Sequence, residues 1–293
     1  MRPMKQANLY TPLTSGAASN SDLSDTGSVL SHALSAGVTR PPLSPVILGE
    51  SGKSQTVADM LSDRHGHFDL DLVEQITGFS PELVLSAYEH GQFPMAEDRH
   101  ATALTWIEPS ERGIIKVPQF KLPKRLARTV KNTPFRITCN LAFDAVVESC
   151  GAEALGRPDT WINDQIRVLY GALHRLGFAH SVEVWDDTNL VGGLYGLSVH
   201  GAFFGESMFS VRRDASKIAL VHLVARMARS GMRLLDCQFY TRHLGQFGAV
   251  EITADAYLEC LEQTQDDGTW FEGHLTNAEL LKFIAKHTKQ PSA

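Results

Sequence analysis

The 293-residue sequence has only four cysteines, Cys139, Cys150, Cys237 and Cys260. No two of them stand as Cys-x-x-Cys, so neither a zinc site nor a redox pair is suggested. A large chain so poor in cysteine reads as cytoplasmic, with its thiols reduced. Long apolar runs are also missing, which argues against a membrane protein. Arg2 and Lys5 are followed by no apolar stretch, so the N-terminus does not read as a secretory signal. There is no Gly-x-Ser-x-Gly elbow, P-loop or dinucleotide fingerprint, and thus no support for a serine hydrolase or a nucleotide cofactor. His174 and His180 lack a matching ligand cluster. The spacing His180-x-x-Glu183 is better read as a satisfied histidine than as a metal site, and no metal is expected.

Acidic residues are absent from Arg112 to Phe143, although the whole chain carries a net charge of −6. That balance argues against a general nucleic-acid coat. The acid-free segment holds Lys116, Lys121, Lys124, Arg125, Arg128, Lys131 and Arg136 after Arg112. It can bind a polyanion locally or be a solvated helix face, and charge alone leaves these readings level. Hydrophobic residues make up 43% of the chain, enough for a proper core.

Residues 1–65 are rich in Ser, Thr, Gly and Pro and lack a sustained apolar period, which reads as a disordered extension. The alternatives are a transit peptide, favoured by the few acids but not by the scarce arginine, and a start of translation near Met60. Order is expected from near Phe68. Ser80 caps a helix with Pro81 in its first turn, running to Gly91, with Pro94 closing the turn. A second helix from Pro123 places Lys124, Arg128 and Lys131 on one face and Leu122, Leu126 and Val130 on the other. Helices follow over 141–150 and from Asn163 to Leu176, stopped by Gly177. Strands are expected at 181–185, 190–198 and 202–210, with a tight turn at Val199-His200-Gly201. Asp214 caps a helix ending at Gly231, and Arg233 to Phe239 returns as a strand. Strand, helix and strand in this order make a β-α-β crossover beside a meander, the core plan of the acetyltransferase-like (GNAT) fold.

Three segments can carry chemistry. Asp236 and Gln238, two apart on a strand, face one way, with Cys237 pointing away. The pair can orient and relay a proton, or be merely a polar strand end. Glu206 lies among Phe203, Phe204, Met208 and Phe209, where a carboxylate must be paired or functional. Gly192-Gly193-Leu194-Tyr195-Gly196 implies close approach of another backbone or a ligand. Cys237 as a nucleophile would need a basic partner that the sequence does not identify.

In order along the chain, several segments resemble the leucyl/phenylalanyl-tRNA–protein transferase family. They begin with Tyr88-Glu89-His90-Gly91-Gln92-Phe93-Pro94-Met95, Thr160-Trp161-Ile162 and Tyr170-Gly171-Ala172-Leu173-His174. Ala179-His180-Ser181-Val182-Glu183-Val184-Trp185 and Leu190-Val191-Gly192-Gly193-Leu194-Tyr195-Gly196 come next. Gly205-Glu206-Ser207-Met208-Phe209, Ala215-Ser216-Lys217 and Asp236-Cys237-Gln238 complete the series. So many motifs in order are far more specific than any one.

The resemblance implies an α+β protein, with a small N-terminal domain over 66–112, a GNAT-like domain over 113–265 and a tail with a short helix over 266–293. It implies transfer of Leu, Phe and less readily Met from aminoacyl-tRNA to acceptor proteins beginning with Lys or Arg, marking them for N-degron degradation. The ester is already activated, so no cofactor is needed, and a cytoplasmic monomer is expected. By position, Gln238 relays the amine's proton, Asp236 orients it and Glu206 anchors the amine or the adenosine. Leu194, Phe203, Met208, Leu220, Leu223 and Leu235 line an aminoacyl pocket, and Trp106 and Trp161 stack on adenine or close that pocket. Lys124, Arg125, Arg128 and Lys131 hold tRNA phosphates. The segment Thr105-Trp106-Ile107-Glu108-Pro109 departs from the family's paired tryptophans, and Leu223 from a common Phe, changes that bear on amino-acid preference. The alternatives are a related peptidoglycan-type aminoacyl-tRNA transferase and a tRNA-binding protein without catalysis.

Overall fold

The computed structural model describes residues 69–153, 159–265 and 270–288. The extension over 1–65, with its disordered and alternative readings, lies outside the described residues, as does Phe68. The first element, α1 (Leu70–Thr77), was not read from the sequence. Its signals are nonetheless local. The Asp69 side chain accepts from the Leu72 N–H, and Gly78 closes the helix in the left-handed conformation. Helix α2 (Pro81–Glu89) starts as expected, with the Ser80 hydroxyl accepting from Leu83 N–H and Pro81 in the first turn. Gly91, at φ +80°, makes the turn after it. Pro94 does not close that turn. It lies within β1 (Phe93–Ala96), opposite Trp106 of β2 (Leu104–Ile107).

A seven-stranded mixed sheet forms the rest of the frame. The next elements are β3 (Glu111–Lys116), α3 (Lys124–Lys131), β4 (Arg136–Cys139), α4 (Phe143–Gly151) and α5 (Asp164–Arg175). There follow β5 (Ala179–Asp186), β6 (Asn189–Val199), β7 (Ala202–Ser210), α6 (Ala215–Arg229) and β8 (Leu234–Asp236). The last are α7 (Arg242–Gly245), β9 (Val250–Thr253), α8 (Ala254–Gln265) and α9 (Asn277–His287). The strand order is β4-β5-β6-β7-β8-β3-β9, antiparallel except between β7 and β8. The molecule is thus α+β. A parallel pair needs a crossover, and α6 supplies it, burying Ile218, Leu220, Val221, Leu223, Val224 and Met227.

The expected turn between β6 and β7 is a two-residue loop, His200-Gly201, closed by Val199 opposite Ala202. Asp214 stands at the start of α6, as expected, but it does not cap through its side chain. Its backbone is left-handed, and its carboxylate takes Lys217 at 2.7 Å instead. The glycines of β6 serve a close backbone approach. A Cβ on Gly196 would fall on the Phe204 carbonyl oxygen and the Phe203 ring, beside an irregularity between Tyr195 and Gly196. Gly196→Ala is therefore expected to destabilise the fold by about 1–3 kcal/mol, the usual range for overpacking. Urea denaturation checks this, and an unchanged midpoint would show that the strand can shift freely.

Strand β8 is shorter than the expected 233–239 and stops at Asp236. Gln238 has φ +59°, which ends the extended conformation. Its peptide is held from β3, where Gly113 N–H donates to Gln238 O at 2.9 Å and Gly113 O accepts from Cys237 N–H at 2.8 Å. Pairing of β7 with β8 runs only from Ala202–Leu234 to Phe204–Asp236.

Candidate active site

Beyond Phe204 and Asp236 the ladder between β7 and β8 ends, and a cavity of about 150 Å³ occupies that region of the sheet. Its walls are mostly apolar. Leu194 comes from β6, Met208 from β7, Leu220 and Leu223 from α6, and Leu235 from β8. All five were expected there. Phe203, the sixth, is not a wall. It sits opposite Leu235 where the two strands still pair, is fully buried, and packs against Phe271 with ring centroids 5.4 Å apart. The sequence reading missed Leu244, also in the lining, because α7 is too short to show an apolar period. Trp106 and Trp161 do not line this cavity. Trp106 is half-buried, with its ring centroid 4.5 Å from that of Phe79.

The polar wall is built from Glu206, Ser207 and Asp236, and Gln238 stands behind it rather than in the lining. Asp236 is fully buried and takes a fork from Arg112, with Nε donating to Oδ2 at 3.0 Å and Nη2 to Oδ2 at 2.7 Å. Tyr257 donates to the same oxygen at 2.7 Å. Oδ1 accepts the Gln238 backbone N–H at 2.7 Å. Arg112 lies between the Phe93 and Tyr257 rings and donates from Nη1 to Gly91 O at 2.8 Å. Burial opposes its charge, but the Asp236 carboxylate outweighs that and raises its pKa above the usual arginine value. Arg112 headed the acid-free segment in the sequence. Its burial removes it from any polyanion-binding surface.

This geometry corrects the expectation of a shared strand face. Asp236 reaches Gln238 through the backbone N–H, and the Gln238 side chain turns to Glu206, donating from Nε2 to Oε2 at 3.1 Å. The other Glu206 oxygen, Oε1, accepts from Tyr88 at 2.8 Å. The Tyr88 hydroxyl bonds that of Tyr170 in turn. Burial pushes the Glu206 carboxyl up to about 7, against the pull of its bonds from Tyr88 and Gln238 and of the nearby Tyr170 hydroxyl, and with help from the Asp236 charge. Among the described residues no lysine or arginine forms an ion pair with Glu206, so the structural ion pair weighed for it is not found.

Cys237, expected to point away, is part of the lining. Burial, then the nearby Asp236, raises its thiol pKa above the ordinary value, which leaves it a poor nucleophile. His174 donates from Nδ1 to Ala179 O over 2.7 Å and stacks on Phe143, and His180 meets Asn140 at 2.9 Å. Both histidines are hydrogen-bonded, His180 buried and His174 half-buried.

The basic helix is as expected. On α3, Leu126, Ala127 and Val130 are buried while Lys124, Arg125, Arg128 and Lys131 are exposed. Arg125 is tied at 3.7 Å to Asp214. Helix α3 packs on α6, which carries Leu220 and Leu223 into the cavity. A basic surface and an apolar cavity with a buried carboxylate are thus supported by one helix.

Two family profiles match the chain. One, described as leucyl/phenylalanyl-tRNA protein transferase, covers residues 114–262, and the other, its N-terminal domain, covers residues 78–110. The chain is also similar to leucyl/phenylalanyl-tRNA–protein transferases of named bacteria. It is 52% identical over 197 residues to that of Paramagnetospirillum magneticum, covering 67% of this chain and 94% of the relative. It is 51% identical over 211 residues to that of Nitrobacter winogradskyi, covering 70% and 94%. It is 54% identical over 179 residues to that of Caulobacter vibrioides, covering 61% and 82%.

Proposed function

Since the chain belongs to the leucyl/phenylalanyl-tRNA–protein transferase family, we infer that it moves a leucyl or phenylalanyl group, and less readily methionyl, from tRNA to an acceptor protein. The acceptor begins with Lys or Arg, and the new peptide bond marks it for degradation. One observation carries the reading best: the apolar cavity of about 150 Å³ that ends at Glu206 and Asp236. An apolar cavity of about 150 Å³ takes up benzene, so this one suits a phenyl or isobutyl side chain. The ester carbonyl then lies beside the polar wall.

Asp236, Gln238 and Glu206 form the catalytic set. Asp236 sets the conformation of the loop through its bond to the Gln238 N–H. Gln238 and Glu206 face the attacking amine together. Trp106 and Trp161, outside the cavity, are assigned to the terminal adenine, where stacking contributes about 1–3 kcal/mol per base. Lys124, Arg125, Arg128 and Lys131 are assigned to acceptor-stem phosphates, contacts that hold many tRNAs without reading sequence.

We read residues 66–112 as the small N-terminal domain, 113–265 as the GNAT-like domain and 266–293 as the tail. The parallel β7–α6–β8 unit beside an antiparallel meander supports the GNAT assignment. We take the protein as a cytoplasmic monomer. Among the described residues no helix is long and apolar enough to cross a membrane.

The test is transfer of labelled Phe from Phe-tRNA to a peptide beginning with Arg, compared with the same peptide beginning with Asp. Equal labelling of both, or of neither, would overturn the reading. Arg128→Glu is expected to weaken tRNA binding and to lower the slope of log K against log salt by about 1, as loss of one phosphate contact does. Filter binding at several salt concentrations measures it. An unchanged slope would remove Arg128 from the interface.

A further inference from the structure

We propose that the proton leaving the acceptor's α-amine goes to the Glu206 carboxylate, and that Tyr88 and Tyr170 are the positioning residues that hold that carboxylate ready. The proposal rests on the aminoacyl-transfer reading and names the atom that receives the proton. Asp236 is excluded by its partners. Arg112 and Tyr257 occupy Oδ2, and Oδ1 takes both the Gln238 N–H and Arg112 Nε, the latter at 3.1 Å. Gln238 is excluded by its chemistry and its direction. A primary amide is a very weak base, and its NH₂ points at Glu206 Oε2, an orientation that the acceptor-only carboxylate dictates.

Glu206 has the properties the other two lack. It lines the cavity and accepts one bond on each oxygen, from Tyr88 and from Gln238. A carboxylate has about four lone-pair sites, so capacity remains for an incoming amine. The titratable groups facing it are Tyr88 from α2, Tyr170 from α5, Tyr195 from β6 and Asp236 from β8. The tyrosines are themselves pushed up by burial, and then by the Glu206 charge, and stay protonated donors. Burial brings Glu206 to about 7, near the pH at which a base acts best.

The step balances without a co-reactant. The amine nitrogen attacks the ester carbonyl, and a C–N bond forms as one N–H proton passes to Glu206. The bond between the acyl carbon and the ribose oxygen then breaks, its electron pair leaves with that oxygen, and Glu206 returns the proton there. The carboxylate is regenerated.

The experiment is single-turnover transfer from Phe-tRNA to an Arg-initiated peptide between pH 5.5 and 9. It compares wild type, Glu206→Gln, Tyr88→Phe, and Tyr88→Phe combined with Tyr170→Phe, with tRNA binding measured in parallel. Glu206→Gln should lose about 10²–10⁴ in rate, the usual contribution of a positioned proton-transfer group, with tRNA affinity kept. The tyrosine variants remove donors to the charged form, which raises its pKa. Their acid limb should move to higher pH, farther in the double variant, so that the loss is several-fold at pH 6.5 and shrinks toward pH 9. The acceptor amine, with a pKa of about 7.7–8.0, adds a limb common to every enzyme, so only the displacement between enzymes is read. A near-normal rate for Glu206→Gln, or a double-variant limb coinciding with wild type, would overturn the proposal while wild-type transfer stands. Absence of transfer by wild type at every pH would instead sink the transferase reading, and this one with it.

Discussion

Arg112→Met is expected to destabilise the protein by about 3–5 kcal/mol, the range for removing one partner of a buried ion pair. Arg112 is 1% exposed and Asp236 0%. Without the guanidinium, Asp236 would keep only the Tyr257 hydroxyl and the Gln238 N–H as partners in a site closed to water. Lysine should not rescue it, because an ammonium cannot reproduce the fork from Nε and Nη2 while also reaching Gly91 O. Urea unfolding measures the loss. The double variant Arg112→Met/Asp236→Leu separates folding from function. With both charges gone, no charge is left buried alone, and stability should return most of the way. Transfer should not return, because the loop that presents Gln238 has lost its anchor. A single variant within about 1 kcal/mol of wild type would mean that water reaches Asp236.

Gln238→Ala is expected to slow single-turnover transfer about 10- to 150-fold. The side chain donates to a carboxylate, and truncating such a bond typically loses about 1.5–3 kcal/mol, at tenfold per 1.36 kcal/mol. Affinity for tRNA should hold, since Gln238 is buried beside Glu206 and far in sequence from the basic helix. The change also removes the Glu206 partner that Asp236 indirectly positions. Asp236→Asn combined with Gln238→Ala should therefore be little worse than the worse single variant. Fully multiplicative losses would show that the two residues act separately. A near-normal rate for Gln238→Ala would mean that positioning of amine against ester is achieved elsewhere.

Several features were legible in the sequence because their causes are local. Ser80 before Pro81, Asn163 with its side chain accepting from Ile166 N–H, and the left-handed Gly177 and Gly231 mark helix ends by chemistry within one turn. The strand over 181–185 was read from its alternation, and the leucines of the cavity stood at positions that the family resemblance named. Even α1 had its cap and its closing glycine, Asp69 and Gly78.

What the sequence by itself determined was the helices and strands between 141 and 231, the family, and the choice of Glu206, Asp236 and Gln238 as candidates. Tertiary structure alone decided how they are connected. Arg112 looked like the start of a basic surface, and its partner Asp236 lies 124 residues away, brought adjacent when β3 pairs with β8. Tyr88 and Glu206 are 118 residues apart and meet only when α2 packs on the sheet. Gln238 leaves the strand because its peptide is held by Gly113 and Asp236, not because of its own preference. Phe203 is not a cavity wall because its ring is buried against Phe271, far along the chain. A helix cap or an apolar period is satisfied by neighbours in the chain, so sequence shows it. A buried charge or carboxylate has its properties set by whichever groups share its loss of water, and those arrive from the whole fold.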